Sequence, residues 1–435
     1  MTDIIFSFDT EDFTSAESMD TILEEANLFR EEGVRGCFCL VGLLAKHMKE
    51  WGRTDVIEAL SHHEINSHTY GHTLHPMINE YTDIEDVNEA IARVIKEESL
   101  AIDYIKETTG AERIYAAVPP GNQKSYAAMY AYAKMGIPIY ADTFCDPLDG
   151  RGSHYCNIYH IAYVEPMESF IHGDEADIRR LLDKLATRKR AVLYTNPNMA
   201  RYSEFWDQVN YHKENLVPFG QWKMCKRRPE EETQKFYDNI RTMIRLVKAD
   251  PRFRITTYEE VTRELEKEPV RTVTIADIPA IRAQLTENFF PVETPASLSL
   301  SDVLLSCRDL LLGRESHTCG DVYGFLEKPY AITEPVTLCA EDVRAAAAEI
   351  PDGFLPASIR VGEATVGLRD WLTAALAVLC GEDTVTVSPA DPLPCLDVLP
   401  EVRDSSFRGT WQHGDSFMDN YLSDRLRYQS WTMRF

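Results

Sequence analysis

Residues 4–13 read IIFSFDTEDF, an apolar run that ends abruptly in the acidic residues Asp9, Glu11 and Asp12. A short apolar run that stops at polar residues is typical of a buried strand in a parallel sheet. Carboxylates this close together repel one another, and either solvent or a bound cation relieves the repulsion. Taken alone, the segment leaves a solvated acidic loop and a cation site both open.

Strand and helix patterns alternate from this segment up to about residue 265. Such alternation predicts an α/β fold, in which helices cover a parallel sheet or barrel and ligand sites lie at the carboxyl ends of the strands. The predicted strands are Ile4–Phe8, Gly36–Val41, Glu64–Asn66, Ile114–Val118, Pro138–Ala141 and Arg190–Tyr194. The predicted helices are Ser18–Glu32, Leu43–Glu50, Val56–Leu60, Ile84–Thr109, Tyr126–Lys134, Asp177–Thr187 and Thr256–Leu265.

A second polar cluster, SHTYGHTLHP, occupies residues 67–76 directly after a predicted strand. Its His68 and His72 are four positions apart, and Ser67 and Pro76 are residue types that begin and end a helical turn. On such a turn the two imidazoles share one face, about 5–6 Å apart at Cβ, and can reach a single ion. Two polar histidines on a solvated turn are the alternative.

Together, the two clusters supply two neutral nitrogen donors and one carboxylate. A four-coordinate ion held this way keeps one position open, which is the arrangement of a catalytic metal site. A spare carboxylate is then available to act as a base, while the metal polarises the carbonyl under attack.

Five segments resemble, in order and spacing, the polysaccharide deacetylase family with the NodB homology domain. They are FSFDTED (6–12), GCFCLVG (36–42), EINSHTYGHTLHP (64–76), AAVPPGN (116–122) and VLYTNPN (192–198), and the resemblance covers about residues 4–265. It implies a distorted (β/α) barrel of the NodB deacetylase type and a divalent metal, commonly zinc. It also implies hydrolysis of an acetamide or related amide on a carbohydrate substrate.

By matching positions, Asp9 falls where the family has its general base, and His68 and His72 fall on its two metal-ligand histidines. The third ligand is Asp12 or Glu11. Asp12 is the preferred assignment, because aspartate is the family's usual ligand, although strand alternation puts Glu11 on the side of Asp9. The predicted substrate-contacting residues are Gly121, Asn122 and Asp207.

Two positions depart from the family pattern. Where the family usually has an arginine that holds the base, this chain has Ala117 and Val118, with Lys124 as the candidate substitute. Where the family has a histidine as general acid, it has Asn196, which can donate a hydrogen bond to an oxyanion but has no proton to give up. Because losing a general acid typically lowers the rate by ~10² to 10⁴-fold, another donor is needed. The candidates are His160, His172 and His212.

The charged segment Glu266–Arg271 is the predicted boundary between residues 1–268, the deacetylase-like domain, and residues 269–435. The second domain is predicted to be smaller, mostly helical and α+β, with an internal repeat that matches Val273 with Val336 and Asp302 with Asp370. A packing or dimerisation role is favoured over a substrate- or cell-wall-binding role. The aromatic tail beyond residue 406 is expected to fold back onto one of the domains.

The amino-acid composition disfavours some classes of binding partner. With 45 basic and 70 acidic residues, the net charge of −25 disfavours nucleic acid and membrane surfaces. The ten cysteines lack CxxC pairs, and the N-terminus lacks the features of a signal peptide. A cytoplasmic, thiol-reducing location and a possible homo-oligomer are therefore expected.

Three functions fit these patterns. The first is a metal-dependent hydrolase, with Asp9 as base and Asn196 polarising the substrate carbonyl. The second, motivated by the missing arginine and histidine, is a catalytically weak or inactive carbohydrate-binding protein. The third is a metal-independent amidohydrolase acting on a small cyclic amide, which the pair His68 and His72 disfavours.

Overall fold

The computed structural model describes residues 1–121, 124–142, 149–171, 173–211, 217–397, 399–407, 413 and 417–435. Its strands are β1 (Thr2–Thr10), β2 (Cys37–Leu40), β3 (Glu64–Ser67), β4 (Ala116–Ala117), β5 (Ile139–Ala141), β6 (Ser153–Tyr155), β7 (Ile158–Ile161), β8 (Tyr163–Pro166), β9 (Arg190–Thr195), β10 (Phe253–Ile255), β11 (Thr272–Thr274), β12 (Ser316–Thr318), β13 (Val336–Cys339), β14 (Ile359–Val361), β15 (Ala364–Val366) and β16 (Thr384–Val387).

The α-helices of the described residues are α1 (Asp20–Glu31), α2 (Gly42–Glu50), α3 (Thr54–Leu60), α4 (Ile78–Thr82), α5 (Val87–Thr109), α6 (Tyr126–Lys134), α7 (Glu175–Leu185), α8 (Asn198–Arg201), α9 (Trp206–Asn210), α10 (Glu230–Ala249), α11 (Tyr258–Leu265), α12 (Ile278–Glu287), α13 (Leu300–Leu311), α14 (Ala340–Ala346), α15 (Leu368–Leu379), α16 (Pro400–Arg403) and α17 (Leu422–Tyr428). Short 3₁₀ turns lie at Met167–Ile171, Ile275–Asp277, Ala347–Glu349 and Gln429–Thr432.

The chain divides into two compact units. The first contains residues 1–152, 159–267 and 406–420, and the second contains residues 153–158, 268–405 and 421–435. The main division, between Lys267 and Glu268, lies next to the predicted one. The prediction did not assign residues 153–158 to the second unit or residues 406–420 to the first. The aromatic tail contributes to both units.

The core of the first unit is a parallel sheet in the order β7-β5-β4-β3-β2-β1-β9-β8, and the start of β1 also pairs with β10. Ser7 in the middle of β1 lies opposite Cys37 of β2 on one side and Tyr194 of β9 on the other. The sheet is a curled half-barrel. The predicted α/β class and parallel sheet are therefore confirmed, whereas a closed barrel is not formed among the described strands.

The predicted elements of the first unit form because their apolar residues are buried. In β1, the side chains of Ile4, Ile5 and Phe8 are fully buried, as expected for a strand covered on both faces. α5 is capped at its N-terminus by Asp86, whose carboxylate accepts hydrogen bonds from two backbone N–H groups, and at its C-terminus by Gly110 in the left-handed conformation (φ +74°). β4 is shorter than predicted, because regular pairing stops at Ala117.

Among the described residues of the second unit, three strand pairs are antiparallel. β11 pairs with β12, and α12 and α13 lie between them in sequence. β13 pairs with β16, and α14, the pair β14 and β15, and α15 lie between them in sequence. The helices α13 and α15 pack through fully buried residues such as Leu304 and Trp371. This arrangement gives the second unit its own apolar core.

The cysteines within the described ranges are free thiols. A search of the same residues finds no helix that is long and apolar enough to cross a membrane.

Candidate functional site

A cavity of about 380 Å³ opens at the carboxyl ends of the central strands of the first unit. Side chains reach it from the end of β1, from the segments that follow β3, β4, β5 and β9, and from α9. In a parallel sheet these strand ends meet at one edge, which is why polar residues distant in sequence converge here. The predicted residues among its lining are Asp9, Glu11, His68, His72, Gly121, Asn196 and Asp207.

Glu11, His68 and His72 form a buried group whose ligand atoms all lie within 4.8 Å of one another. Oε2 of Glu11 lies 2.6 Å from Nε2 of His72 and 3.4 Å from Nε2 of His68. Their mutual attraction outweighs burial, so the pKa of Glu11 is lowered to about 2 and that of His72 is raised. The three side chains thus present one carboxylate oxygen and two ring nitrogens to a common point.

The ring nitrogen of each histidine that faces away from this point is hydrogen-bonded. Nδ1 of His68 lies 2.6 Å from the carbonyl oxygen of Val118, which can only accept, so Nδ1 carries the proton and Nε2 keeps its lone pair in the neutral ring. Nδ1 of His72 lies 3.2 Å from Oγ1 of Thr73, which in turn donates to Asp207 over 3.1 Å. These contacts fix the orientation of both rings.

The carboxylate of Glu11 is held in the same way. Nε1 of Trp206 donates to Oε1 of Glu11 over 3.1 Å, which leaves Oε2 to face the histidines. Trp206 is fully buried. Among the described residues, Nε2 of His68 is buried without a hydrogen-bond partner, so its lone pair is available to a metal.

A divalent cation fits this donor set. Two imidazole nitrogens and one carboxylate oxygen suit zinc and related metals, and hydrogen bonds from the surrounding residues already orient all three side chains. Glu11, His68 and His72 would hold the ion, while Asp9 lines the same cavity as a spare carboxylate.

The two histidines do not lie on a helical turn, and the prediction that they do is wrong. Residues 68–77 form an irregular loop in which Thr69 and His72 adopt positive φ angles of 68° and 57°. The carbonyl oxygens of Thr69 and Tyr70 accept hydrogen bonds from the first two N–H groups of α2, which holds this uncommon backbone in place. The rings converge through loop geometry, with centroids 5.1 Å apart.

The geometry favours Glu11 over Asp12 as the third ligand and so corrects the predicted preference. Oδ1 of Asp12 accepts a hydrogen bond from the backbone N–H of Thr14, and Asp12 is not part of the Glu11 group. Burial raises the pKa of Asp12 to about 6. Strand alternation gave the correct side for Glu11, because β1 stays extended up to Thr10.

Asp9 is oriented by a tyrosine that the sequence did not reveal. The hydroxyl of Tyr163, on β8, donates to Oδ1 of Asp9 over 2.9 Å. Burial raises the pKa of Asp9 to about 6, against the opposing attraction of His68. Among the described residues that line the cavity there is no lysine or arginine, and Lys124 is buried elsewhere.

Asn196 lines the cavity, but its amide is already engaged. Oε1 of Glu168 accepts from the backbone N–H of Asn196 over 2.5 Å, from its Nδ2 over 3.0 Å and from Oγ1 of Thr195 over 3.0 Å. Glu168 therefore fixes the position of Asn196 and uses one of the amide hydrogens that polarising a substrate carbonyl would require.

The cavity contains none of the predicted proton donors among the described residues. His160 is fully buried and does not line the cavity, so its candidacy as proton donor finds no support in the geometry. Asn122, His172 and His212 lie outside the described residues. Asp142, at the end of β5, lines the cavity and was not singled out from the sequence.

Comparison with known proteins gives structural matches alone: no family model and no curated protein sequence matches the chain. A provisionally named polysaccharide deacetylase from Mycobacterium smegmatis matches with 13% identity and a TM-score of 0.41 over 63% of this chain and 93% of that chain. A probable polysaccharide deacetylase from Pseudomonas aeruginosa matches with 13% identity and a TM-score of 0.38 over 61% and 91%.

A pseudoenzyme of the CE4 family from Bacillus anthracis also matches, with 12% identity and a TM-score of 0.30 over 46% of this chain and 57% of that chain. The matched structures thus include members of the family that the sequence motifs resemble.

Proposed function

We propose that this protein is a metal-dependent hydrolase that removes an acetyl or related acyl group from an amide on a carbohydrate. The observation that supports this most directly is the convergence of Glu11, His68 and His72 in one cavity with the separate carboxylate of Asp9. A metal site with a spare base in a cavity is the minimum equipment for amide hydrolysis.

The proposed roles follow from the contacts. Glu11, His68 and His72 bind a divalent cation, and their donor atoms are those that zinc prefers. When bound, the cation supplies Lewis-acid polarisation of the substrate carbonyl. Asp9 takes the proton of the attacking water. With asparagine where the family has histidine, Asp9 also returns that proton to the leaving amine.

The cavity volume suits a single sugar ring with its acylamino group, since ligand pockets of about 300–1,000 Å³ enclose small molecules. Gly121 and Asp207 line it and are the proposed substrate contacts, as is Asn122. Asp207 is also linked through Thr73 to His72. It therefore helps to orient a metal-binding side chain as well as contacting the substrate.

The test combines metal analysis with acetate release. The full chain is purified without chelators and analysed for bound metal, then assayed on acetylated amino sugars and their oligomers. We expect about one divalent ion per chain, acetate release, loss of both in His68→Ala, and loss of release with retained metal in Asp9→Asn. Purified protein that holds no divalent ion and binds none on addition of zinc would refute the proposal.

A catalytically weak or inactive carbohydrate-binding protein is the second candidate. It is favoured by the engaged amide of Asn196 and by the lining of the cavity, where the described imidazoles are those of His68 and His72. In this case titration calorimetry would detect sugar binding without acetate release. Turnover that Asp9→Asn abolishes would exclude it.

A further inference from the structure

Tyr163 makes the contact that orients the proposed base. Its hydroxyl donates to Oδ1 of Asp9 over 2.9 Å, and both residues line the cavity. The ring is held by stacking on Tyr194, with centroids 4.6 Å apart and planes inclined by 27°. The hydroxyl position is therefore set by packing, independently of Asp9.

A chain of hydroxyl groups leads from the core to this contact. Tyr258, which is fully buried, donates to Oγ of Ser7 over 3.2 Å. Oγ of Ser7 lies 2.8 Å from the hydroxyl oxygen of Tyr163. Because a carboxylate only accepts, the hydrogens run in one direction, from Tyr258 through Ser7 and Tyr163 to Asp9.

We propose that Tyr163 is the positioning residue for Asp9: its hydroxyl holds Oδ1, so that the other carboxylate oxygen of Asp9 faces the reacting atoms. The inference rests on the proposed function.

The test uses the zinc-loaded full chain with Tyr163→Phe, which removes the hydroxyl and keeps the ring. The matched control is Tyr115→Phe, which removes a hydroxyl bonded to Glu259 over 3.3 Å, away from the cavity. We expect Tyr163→Phe to lower kcat for acetate release from an N-acetylglucosamine oligomer by about 10- to 100-fold. KM and zinc content should stay unchanged, and the control should match the wild type.

Tyr163→Phe with kcat within about twofold of the wild type would overturn the inference, as would an equal loss in the control. If the wild type releases no acetate from any sugar, the proposed function fails, and crystal structures of the same zinc-loaded proteins decide the positioning role. One orientation of the Asp9 carboxylate in wild type and control, with rotated or multiple orientations in Tyr163→Phe, supports it. The same orientation in all three overturns it.

Discussion

Trp206 allows a test of how much the metal centre depends on hydrogen bonds behind its ligands. Trp206→Phe keeps an aromatic ring in place but removes the donor to Oε1 of Glu11. Because outer hydrogen bonds orient ligands, we expect zinc affinity to fall about 10- to 100-fold, measured by competition with a chromophoric chelator. Trp222→Phe is the control, since its Nε1 donates to the carbonyl of Val217 instead. Equal affinities in all three proteins would contradict this account.

Glu98 gives a pH dependence whose sign follows from burial. It is 1% exposed, and Oε1 accepts from the backbone N–H of Tyr70. Burial raises its pKa from 4.5 to about 7, so the folded protein binds a proton that the unfolded chain has released between these pH values. Its contribution to stability is present below about pH 4.5, declines as the pH rises, and is lost above about pH 7.

We therefore expect Glu98→Gln to flatten the fall of unfolding free energy between pH 5 and 8, by on the order of 2–3 kcal/mol. Urea unfolding of both proteins across this range measures the difference, and Glu97→Gln, which changes a partly exposed neighbour, is the control. If the unfolding free energy of Glu98→Gln minus that of the wild type grew as the pH fell, the predicted sign would be wrong.

Several site residues could be predicted from the sequence because chemistry is concentrated in short segments. Asp9 and Glu11 adjoin the apolar run of β1, and the two histidines follow β3. Tyr163 could not be predicted: it lies 154 residues from Asp9, and no periodic pattern specifies which distant side chain reaches a strand end. The preference for Asp12 was wrong because β1 stays extended up to Thr10, which puts Glu11 and not Asp12 on the side of the histidines.

At the scale of elements, apolar sequence patterns predicted most helices and strands of the first unit. They did not predict the backbone conformation of the loop after β3. Helices such as α5 and α7 have apolar residues at helical spacing, which indicates the buried face, and β9 is a nearly continuous buried run. The loop after β3 has the spacing of a helical turn, yet Thr69 and His72 adopt positive φ. That conformation is selected by tertiary hydrogen bonds from the start of α2, which single-sequence spacing does not contain.

The contact between α2 and α5 provides the test at this scale. A Cβ added at Gly42 would lie 2.7 Å from the Cα of Ala101, a backbone atom that cannot turn aside. We expect Gly42→Ala to push α2 away from α5 and lower the unfolding free energy by about 1–3 kcal/mol. Because Gly42 and Leu43 donate to the loop that carries His72, zinc affinity should fall as well. Gly353→Ala, where nothing lies within 4 Å, is the control. Unchanged stability and affinity in Gly42→Ala would refute this.

For the whole molecule, net charge and local ion pairs act in opposite directions. The charge of −25 disfavours the compact state through self-repulsion. Local pairs exist, such as Arg241 and Arg245 with Glu32, but exposed pairs of this kind contribute about 0–1 kcal/mol each. Short ion pairs each stabilise the folded protein weakly, whereas repulsion among the excess negative charges destabilises it over longer distances. Salt distinguishes the two effects because it screens the longer-range interaction more completely.

Raising NaCl from 0.01 to 0.15 M shortens the screening length from about 30 to about 8 Å, which spans the distances between surface carboxylates but leaves contacts of 2.6–3.3 Å less affected. We therefore expect thermal midpoints to rise by on the order of 2–4 °C. Calorimetry at constant pH measures this, and KCl in place of NaCl controls for binding of a particular cation. A fall in the midpoints would show that attraction between paired charges exceeds the net repulsion, which would make local pairing, rather than composition, the controlling electrostatic feature of this chain.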